Sequence, residues 1–155
     1  MGVLEFKDTL TSQVPAAKLF KAWFVDINTL LPMVAPDQVK SVDLIEGNGG
    51  PGSIKQVNFT EAVPIKYVKY KIDALDEKKL TYADTVIEGG ELSDKVEKVT
   101  HEIKFIATSY GGSFVNSVTK FYTKEGASLT EDELKASKDG AFGLIKAVEA
   151  HLLAN

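Results

Sequence analysis

The sequence contains no cysteine and only two histidines among its 155 residues. It therefore has no disulfide framework, no thiolate nucleophile and no sulfur ligand for a metal, and two imidazoles alone do not predict a zinc site. Long hydrophobic runs are also missing: no stretch of 18 or more apolar residues occurs, so we expect no membrane-spanning helix and no membrane partner. We expect neither a metal nor another cofactor.

Positive charge is in deficit, because 22 acidic residues outnumber 18 basic ones and the net charge is −4. Such a chain lacks the basic excess of a nucleic-acid-binding module, so no nucleic-acid partner is expected. Residues 1–6 lack the charged and apolar regions of a signal peptide. The length suffices for one domain with a sizeable core. We predict a single domain over residues 1–155, cytoplasmic and monomeric.

Glycine is concentrated in residues 46–52, which read Glu-Gly-Asn-Gly-Gly-Pro-Gly and match G-x-G-x-x-G. A dinucleotide-binding loop needs a helix after it, since the helix N-terminus receives the pyrophosphate. Here a strand-like segment, 39–45, comes before, and residues 53–60 alternate like a second strand. The sequence therefore predicts a rigid connection between strands, with glycine-specific backbone angles and no tightly bound nucleotide.

Local patterns in the first third of the chain predict one strand and two short helices. Residues 3–10 alternate weakly, as in an edge strand. Pro15 suits the first position of a helix that runs to about Phe24. Asp26 is predicted to cap a second helix, which Pro32 is predicted to end.

The remaining sequence predicts about six antiparallel strands over residues 39–122 and one long helix. The clearest strand covers residues 98–105, with opposite faces alternating in polarity. Thr130 and Glu133 form a capping-box pattern at the start of the helix. Its apolar stripe consists of Leu134, Ala141, Ile145, Val148 and Leu152. The predicted fold class is α+β, a curved antiparallel sheet covered by one long helix.

The middle of the long helix contains small residues, including Gly140 and Gly143. Each glycine in a helix costs about 1 kcal/mol relative to alanine. Small residues here favour either close packing of the sheet or a hollow beneath the helix. The polar side chains on the predicted inward strand faces favour the hollow.

Several segments, including the glycine loop, resemble the intracellular pathogenesis-related class 10 family of plants, to which the birch major pollen allergen belongs. The similar stretches are residues 1–3, 46–55, 86–90, 97–98 and 146–155, and the resemblance covers the whole chain with nearly gapless spacing. It implies the START-like helix-grip fold: a seven-stranded antiparallel sheet around a long C-terminal helix, with two short helices closing one end. It also implies a large apolar cavity that binds flavonoids, cytokinins and sterol-like metabolites.

The resemblance further implies which side chains point into that cavity. The residues expected to contact a small amphipathic ligand are Phe24, Lys55, Val57, Phe59, Tyr67, Lys69, Tyr82, Asp84, Val99, His101, Ser117, Thr119, Phe121, Lys138 and Phe142. Lys71, Val86, Ile103 and Val115 are expected to face inward as well. An alkaloid-condensing branch of the family has a cavity lysine where this chain has Ser117, so that condensation is not expected here.

Asp84 and His101 also depart from the family pattern, which places apolar or tyrosine side chains there. Their indices sum to 185, as do those of Ile87 and Lys98, so one hairpin register places them opposite each other. A neighbouring imidazole would offset the cost of burying the carboxylate. Three interpretations remain open: a solvated pair at the cavity mouth, a polar anchor for a ligand, and an acid/base pair.

An aromatic set could line a ligand chamber or form ordinary core: Phe20, Trp23, Phe24, Phe59, Tyr67, Tyr82, Phe121 and Phe142. Ribonuclease activity is proposed for the family, with the glycine loop, Lys55, Glu97 and Glu149 as candidates. Three features count against it: the net negative charge, the lack of a stacking platform, and the presence of a histidine at position 151, where the family usually has tyrosine. We predict a carrier or reservoir for small plant metabolites, with an enzyme in the same cavity as the alternative and a ribonuclease as a minor one.

Overall fold

The computed structural model describes residues 2–90, 92 and 94–154, with the backbone alone described at 136–142. The strands are β1 (Gly2–Ser12), β2 (Val39–Glu46), β3 (Ile54–Phe59), β4 (Tyr67–Asp76), β5 (Thr81–Gly89), β6 (Val96–Ala107) and β7 (Ser113–Thr123). The helices are α1 (Ala16–Phe20), which continues into a π-helical segment (Lys21–Val25), then α2 (Ile27–Val34) and α3 (Glu131–Ala154). The predicted order of elements is confirmed.

All seven strands join in one antiparallel sheet, in the order β1-β7-β6-β5-β4-β3-β2. Chain neighbours from β2 to β7 pair through hairpin-type connections, which antiparallel strands allow. The first strand pairs along its whole length with β7, from Gly2 opposite Thr123 to Ser12 opposite Ser113. The predicted edge position of the first strand and the helix-grip fold are both confirmed.

The two short helices differ in detail from the prediction. Pro15 occupies the N-cap position of α1, one residue before the expected place. Asp26 precedes α2, but its side chain makes no capping hydrogen bond and lies 3.7 Å from Lys21 Nζ. Pro32 lies inside α2, which continues to Val34, so the prediction that Pro32 ends the helix is wrong. In so short a helix the proline removes one backbone donor near the C-terminus, and Ala35 N–H still bonds Leu31 O.

The long helix α3 begins as predicted. Thr130 Oγ1 accepts the Glu133 N–H at 3.1 Å, and Glu133 Oε1 accepts the Thr130 N–H at 3.2 Å, which makes a reciprocal capping box. Val148 is fully buried against α2, β2 and β3, and Leu134 packs against β5 to β7. Burying a valine contributes about 1.5–3 kcal/mol. Two separate stretches of the helix therefore contact the sheet side of the molecule.

The buried apolar side chains in the described part of the chain form three clusters. The first joins α1 and the π-helical segment to β4–β7, the second joins α2 and α3 to β2 and β3, and the third joins β5–β7 to the beginning of α3. Asp84 and His101 face each other between the first and third clusters. Among the described residues no helix is both long and apolar enough to cross a membrane.

Candidate functional site

The strand register brings a row of side chains onto the inner face of the sheet. Residues directly opposite each other on antiparallel strands share a face. Ile72 lies opposite Asp84, Asp84 opposite His101, and His101 opposite Thr119. The prediction that one hairpin register places Asp84 and His101 together is therefore confirmed.

The carboxylate of Asp84 is hydrogen-bonded through both oxygens. Oδ1 lies 2.7 Å from His101 Nδ1, and Oδ2 accepts a hydrogen bond from the Tyr82 hydroxyl at 2.8 Å. This contact requires a proton between the two atoms, and an ionised Asp84 can form it only with the form of His101 in which Nδ1 carries that proton. The exposed fractions of the side chains are 12% for Asp84 and 25% for His101. The pair is thus part of the interior, with the imidazole as its more accessible member.

Two tyrosines complete this polar cluster. Burial and the negative charge of Asp84 raise the pKa of Tyr70 and hold the pKa of Tyr82 well above its usual value. Both therefore remain neutral phenols, able to donate a hydrogen bond, throughout the physiological range. We define the polar cluster as Tyr70, Tyr82, Asp84 and His101.

Aromatic rings enclose the cluster on the side of the short helices. Phe24, from the π-helical segment, stacks on Tyr82 with ring centroids 3.9 Å apart and an interplanar angle of 15°. Phe20 and Phe105 contact Phe24 in tilted and edge-on arrangements. The contacts place an apolar aromatic wall next to hydrogen-bonding groups, an arrangement typical of small-molecule sites.

A pocket of ≈ 330 Å³ opens between the glycine loop, the π-helical segment and the β4–β5 turn. Its walls include apolar side chains and backbone of the loop, and the lining residues are Phe24, Val25, Asn28, Leu44, Asn48, Gly49, Gly50, Lys55, Leu75 and Glu77. Phe24 belongs both to this pocket and to the aromatic wall of the polar cluster. Phe24 is therefore the residue that connects this pocket to the polar cluster, through its stacking on Tyr82.

Lys55 is buried at this pocket, with 3% of its surface exposed. Burial lowers its pKa, because a cation loses hydration there. Such a position disfavours the candidate role in RNA cleavage that the family resemblance raised, since a phosphate chain needs an accessible cation. Glu97, a second candidate for that role, is exposed.

The glycine loop connects β2 directly to β3, as predicted, and no helix follows it. Gly47, Gly49 and Gly52 have positive φ angles of 91°, 98° and 89°, a region that favours glycine. The loop is closed from within, because the buried Ser53 Oγ accepts the Gly49 N–H at 2.8 Å. The predicted glycine-specific backbone is confirmed.

Three residues predicted to face inward lie on the outer face of β4. Lys55 is opposite Tyr70 and Asn58 is opposite Tyr67, so the inner face of β4 carries Val68, Tyr70 and Ile72. The inward assignment of Tyr67, Lys69 and Lys71 is therefore wrong by one residue. A one-residue slip moves every side chain of a strand to the other face.

On the outer face these residues make surface contacts instead. The Tyr67 hydroxyl donates to Glu88 Oε2 at 2.6 Å, and Lys69 Nζ lies 3.6 Å from the same oxygen. Sequence reasoning missed Tyr70, although the alternation of Val68, Tyr70 and Ile72 with two lysines was a readable signal.

The other predicted site residues divide among the three clusters. Phe24 and Tyr82 belong to the first, Val57 and Phe59 to the second, and Val99 and Phe121 to the third. Ser117 and Thr119 are half-buried on β7, opposite Ile103 and His101. The predictions for the side chains of Lys138 and Phe142 lie outside the described residues. Within the described ranges, no group of three His, Asp or Glu residues could hold a metal ion.

Comparisons with known proteins agree with this architecture. The chain is 47% identical to major pollen allergen Aln g 1 of Alnus glutinosa over all 155 residues and 97% of that protein. It is 46% identical to major pollen allergen Car b 1 isoform 2 of Carpinus betulus, with the same coverage. The crystal structure of Ara h 8.0201 superimposes with a TM-score of 0.90 at 40% identity, over 99% of this chain and all of that one.

A more distant structure has the same fold. Norcoclaurine synthase from Thalictrum flavum superimposes with a TM-score of 0.77 at 19% identity, over 99% of this chain and 88% of that one. The sequence model of the pathogenesis-related protein Bet v 1 family matches residues 1–155 of this chain. Sequence, fold and relatives agree, and the chain belongs to the pathogenesis-related protein Bet v 1 family.

Proposed function

We propose that the protein is a cytosolic carrier or reservoir for small amphipathic plant metabolites, such as flavonoids or cytokinins, associated with defence or hormone handling. The observation that carries this proposal is the hydrogen-bonded polar cluster set among aromatic and aliphatic side chains of the sheet interior. A buried polar group in an apolar wall orients an amphipathic molecule by its polar end.

The chemistry of the cluster defines what it would bind. Asp84 supplies acceptor oxygens, while Tyr70 and Tyr82 are phenols whose raised pKa keeps them as donors. The stacked pair of Phe24 and Tyr82 shows that flat rings pack well at this position. A flat ligand with a hydroxyl, amine or ring nitrogen at one end matches both features.

The pocket beside the glycine loop supports the proposal by its size. Its ≈ 330 Å³ falls within the range of about 300–1,000 Å³ found for small-molecule sites. We propose that ligands enter there, past Phe24. Ara h 8.0201 shares this fold at 40% identity, and Aln g 1 is 47% identical in sequence, which supports one mode of binding within the family.

An enzyme acting on a plant metabolite is the alternative, and the Asp84–His101 contact is the observation that favours it. A carboxylate that orients an imidazole at 2.7 Å resembles the acid/base arrangement of many active sites. Norcoclaurine synthase, solved in complex with dopamine and hydroxybenzaldehyde, supports the fold alone at 19% identity. The described cluster contains no nucleophile next to the pair, so binding is preferred.

The substitution Asp84→Leu separates these functions. For a carrier, affinity for a flavonol or a cytokinin falls by about 5- to 150-fold, the equivalent of 1–3 kcal/mol for a lost hydrogen bond to a charged group. Binding of a purely apolar dye is unchanged. For an enzyme, turnover falls by about 10²–10⁴ at unchanged affinity. Isothermal titration and product analysis between pH 5 and 8, where histidine ordinarily titrates, measure both.

Asp73→Leu is the matched control, because Asp73 is an exposed aspartate one strand away whose carboxylate accepts a hydrogen bond from Thr85. It is expected to change neither affinity nor turnover. An Asp84→Leu protein that binds the polar ligands as tightly as the parent and shows no change in turnover would contradict the anchoring role.

A further inference from the structure

Lys55 is a lysine that the fold buries in a mostly apolar setting. It is 3% exposed, whereas Lys40 and Lys66, the preceding and following lysines in the chain, are exposed. None of the ion pairs found among the described residues involves Lys55. Buried charges are normally paired, so an unpaired one needs an explanation.

The surroundings of Lys55 raise the proportion of free amine at a given pH relative to an exposed lysine. Phe24, Leu44 and Leu75 line the same pocket, and burial lowers the lysine pKa. Glu77 is the other charged residue of the pocket lining, and it is exposed at the β4–β5 turn. A desolvated lysine in an apolar pocket is the form in which lysine acts as a nucleophile.

We propose that Lys55 reacts reversibly with small aromatic aldehydes that enter the pocket, forming an imine between the lysine Nζ and the carbonyl carbon. This activity rests on the proposed function to the extent that the aldehyde must reach the interior through the same opening. It adds a covalent binding mode, and it assigns a substrate class, to a side chain that the polar cluster does not use.

The reaction balances without any co-reactant. The lone pair of the neutral amine attacks the carbonyl carbon, and the proton lost from nitrogen passes to the carbonyl oxygen, giving a carbinolamine. Protonation of its hydroxyl releases water as the carbon–nitrogen double bond forms. Hydrolysis returns the aldehyde and the free lysine, so neither oxidant nor reductant is consumed.

Asn28 provides a second sign that the pocket accepts a polar group. It lines the same pocket, and its side-chain oxygen is buried with no hydrogen-bond partner within the described part of the chain. A buried acceptor without a donor costs about 1–3 kcal/mol. The hydroxyl of a carbinolamine or the N–H of a protonated imine is a donor that would satisfy it.

Reductive trapping tests the proposal. The folded protein is incubated at pH 6 with benzaldehyde and sodium cyanoborohydride, which reduces the protonated imine to a stable amine, and labelled positions are mapped by peptide mass spectrometry. The chain has 18 lysines and no arginine, so 17 lysines serve as internal competitors. We expect Lys55 to be labelled at least about tenfold faster than any exposed lysine. An α-amine is scored separately, because its ordinary pKa is about 8.

Variants and unfolding complete the design. Lys55→Met removes the fast label, and Lys71→Met, a change of an exposed lysine on the outer face of β4, retains it. In urea the selectivity of the wild-type protein disappears, which identifies the fold as its cause even if Lys55→Met does not fold. Labelling of Lys55 at the rate of the exposed lysines in the folded protein would overturn the proposal.

Parallel titration with an apolar dye keeps this proposal separate from the carrier function. Dye binding without selective labelling means that the carrier function stands and the imine proposal fails. Selective labelling without binding of the dye or of any flavonoid or cytokinin means that the imine proposal stands and the carrier function fails.

Discussion

Asp84 and Lys55 are both charged residues that the fold buries, and their surroundings are opposite in kind. Asp84 has a hydrogen-bond partner on each carboxylate oxygen, supplied by His101 and Tyr82. Lys55 has apolar neighbours, no ion pair among the described residues and a lowered pKa. The difference teaches that the fold satisfies one buried charge with hydrogen bonds and leaves the other desolvated. The two sites should therefore respond in opposite directions when altered.

Removing the partner of Asp84 should give the largest effect. His101→Leu leaves a buried carboxylate with Tyr82 as its one remaining donor among the described residues, and should lower the free energy of unfolding by about 2–3 kcal/mol at pH 7. The double variant Asp84→Leu/His101→Leu should recover most of this loss, because no carboxylate then remains to be satisfied. Urea denaturation with two-state analysis measures both. Equal stability of His101→Leu and the parent would show that solvent replaces the imidazole.

Replacing Lys55 should change the free energy of unfolding in the opposite direction. Lys55→Met should raise the free energy of unfolding by about 1–2 kcal/mol at pH 7, because it removes a desolvated charge and keeps the aliphatic chain. The pKa of Lys55 is lowered by folding, so the unfolded state binds more protons between the folded pKa and about 10.4. As the pH rises across that window, the wild-type protein therefore becomes more stable relative to Lys55→Met. The stability advantage of the variant should shrink accordingly. A gain that is constant up to pH 10.5 would contradict the burial argument.

The raised pKa of Tyr82 should affect the pH dependence of stability in the alkaline range. Its pKa is raised by burial and by Asp84, so the folded state holds a proton that the unfolded state loses above pH 10. The contribution of Tyr82 to the free energy of unfolding is fully present below pH 10. Between pH 10 and 11 it should fall by about 1 kcal/mol. Tyr82→Phe removes that component of the fall. Stability curves of equal slope for both proteins over this interval would refute the assignment.

The smallest effect is expected on the outer face. Lys69→Met breaks the contact with Glu88, a pair that is 25% and 52% exposed, and should change stability by about 0.5 kcal/mol or less. Ligand affinity should not change, because Lys69 points away from the interior. A loss of affinity comparable to that of Asp84→Leu would restore the original inward assignment of β4.

The sequence predicted the Asp84–His101 contact because a single hairpin links their strands, and a hairpin fixes its register through index sums alone. The same reasoning could not predict which face of β4 points inward. Its register depends on two neighbours and on irregularities at Lys69/Tyr70 and Ile72/Ala74, which no local pattern reports. The stacking of Phe24 on Tyr82 was equally inaccessible, because it depends on how the short helices approach the sheet.

The number of residues in the π-helical segment determines where Phe24 lies in the interior. Asp26 N–H donates to Lys21 O, five residues back, so this turn contains one more residue than an α-helical turn. Each α-helical residue rotates the following side chains by about 100°. Deletion of a single residue here would convert the turn to α and swing Phe24 off Tyr82, although no residue of the sheet had changed. Variation of one position in length can therefore rearrange the aromatic wall as much as a substitution within it.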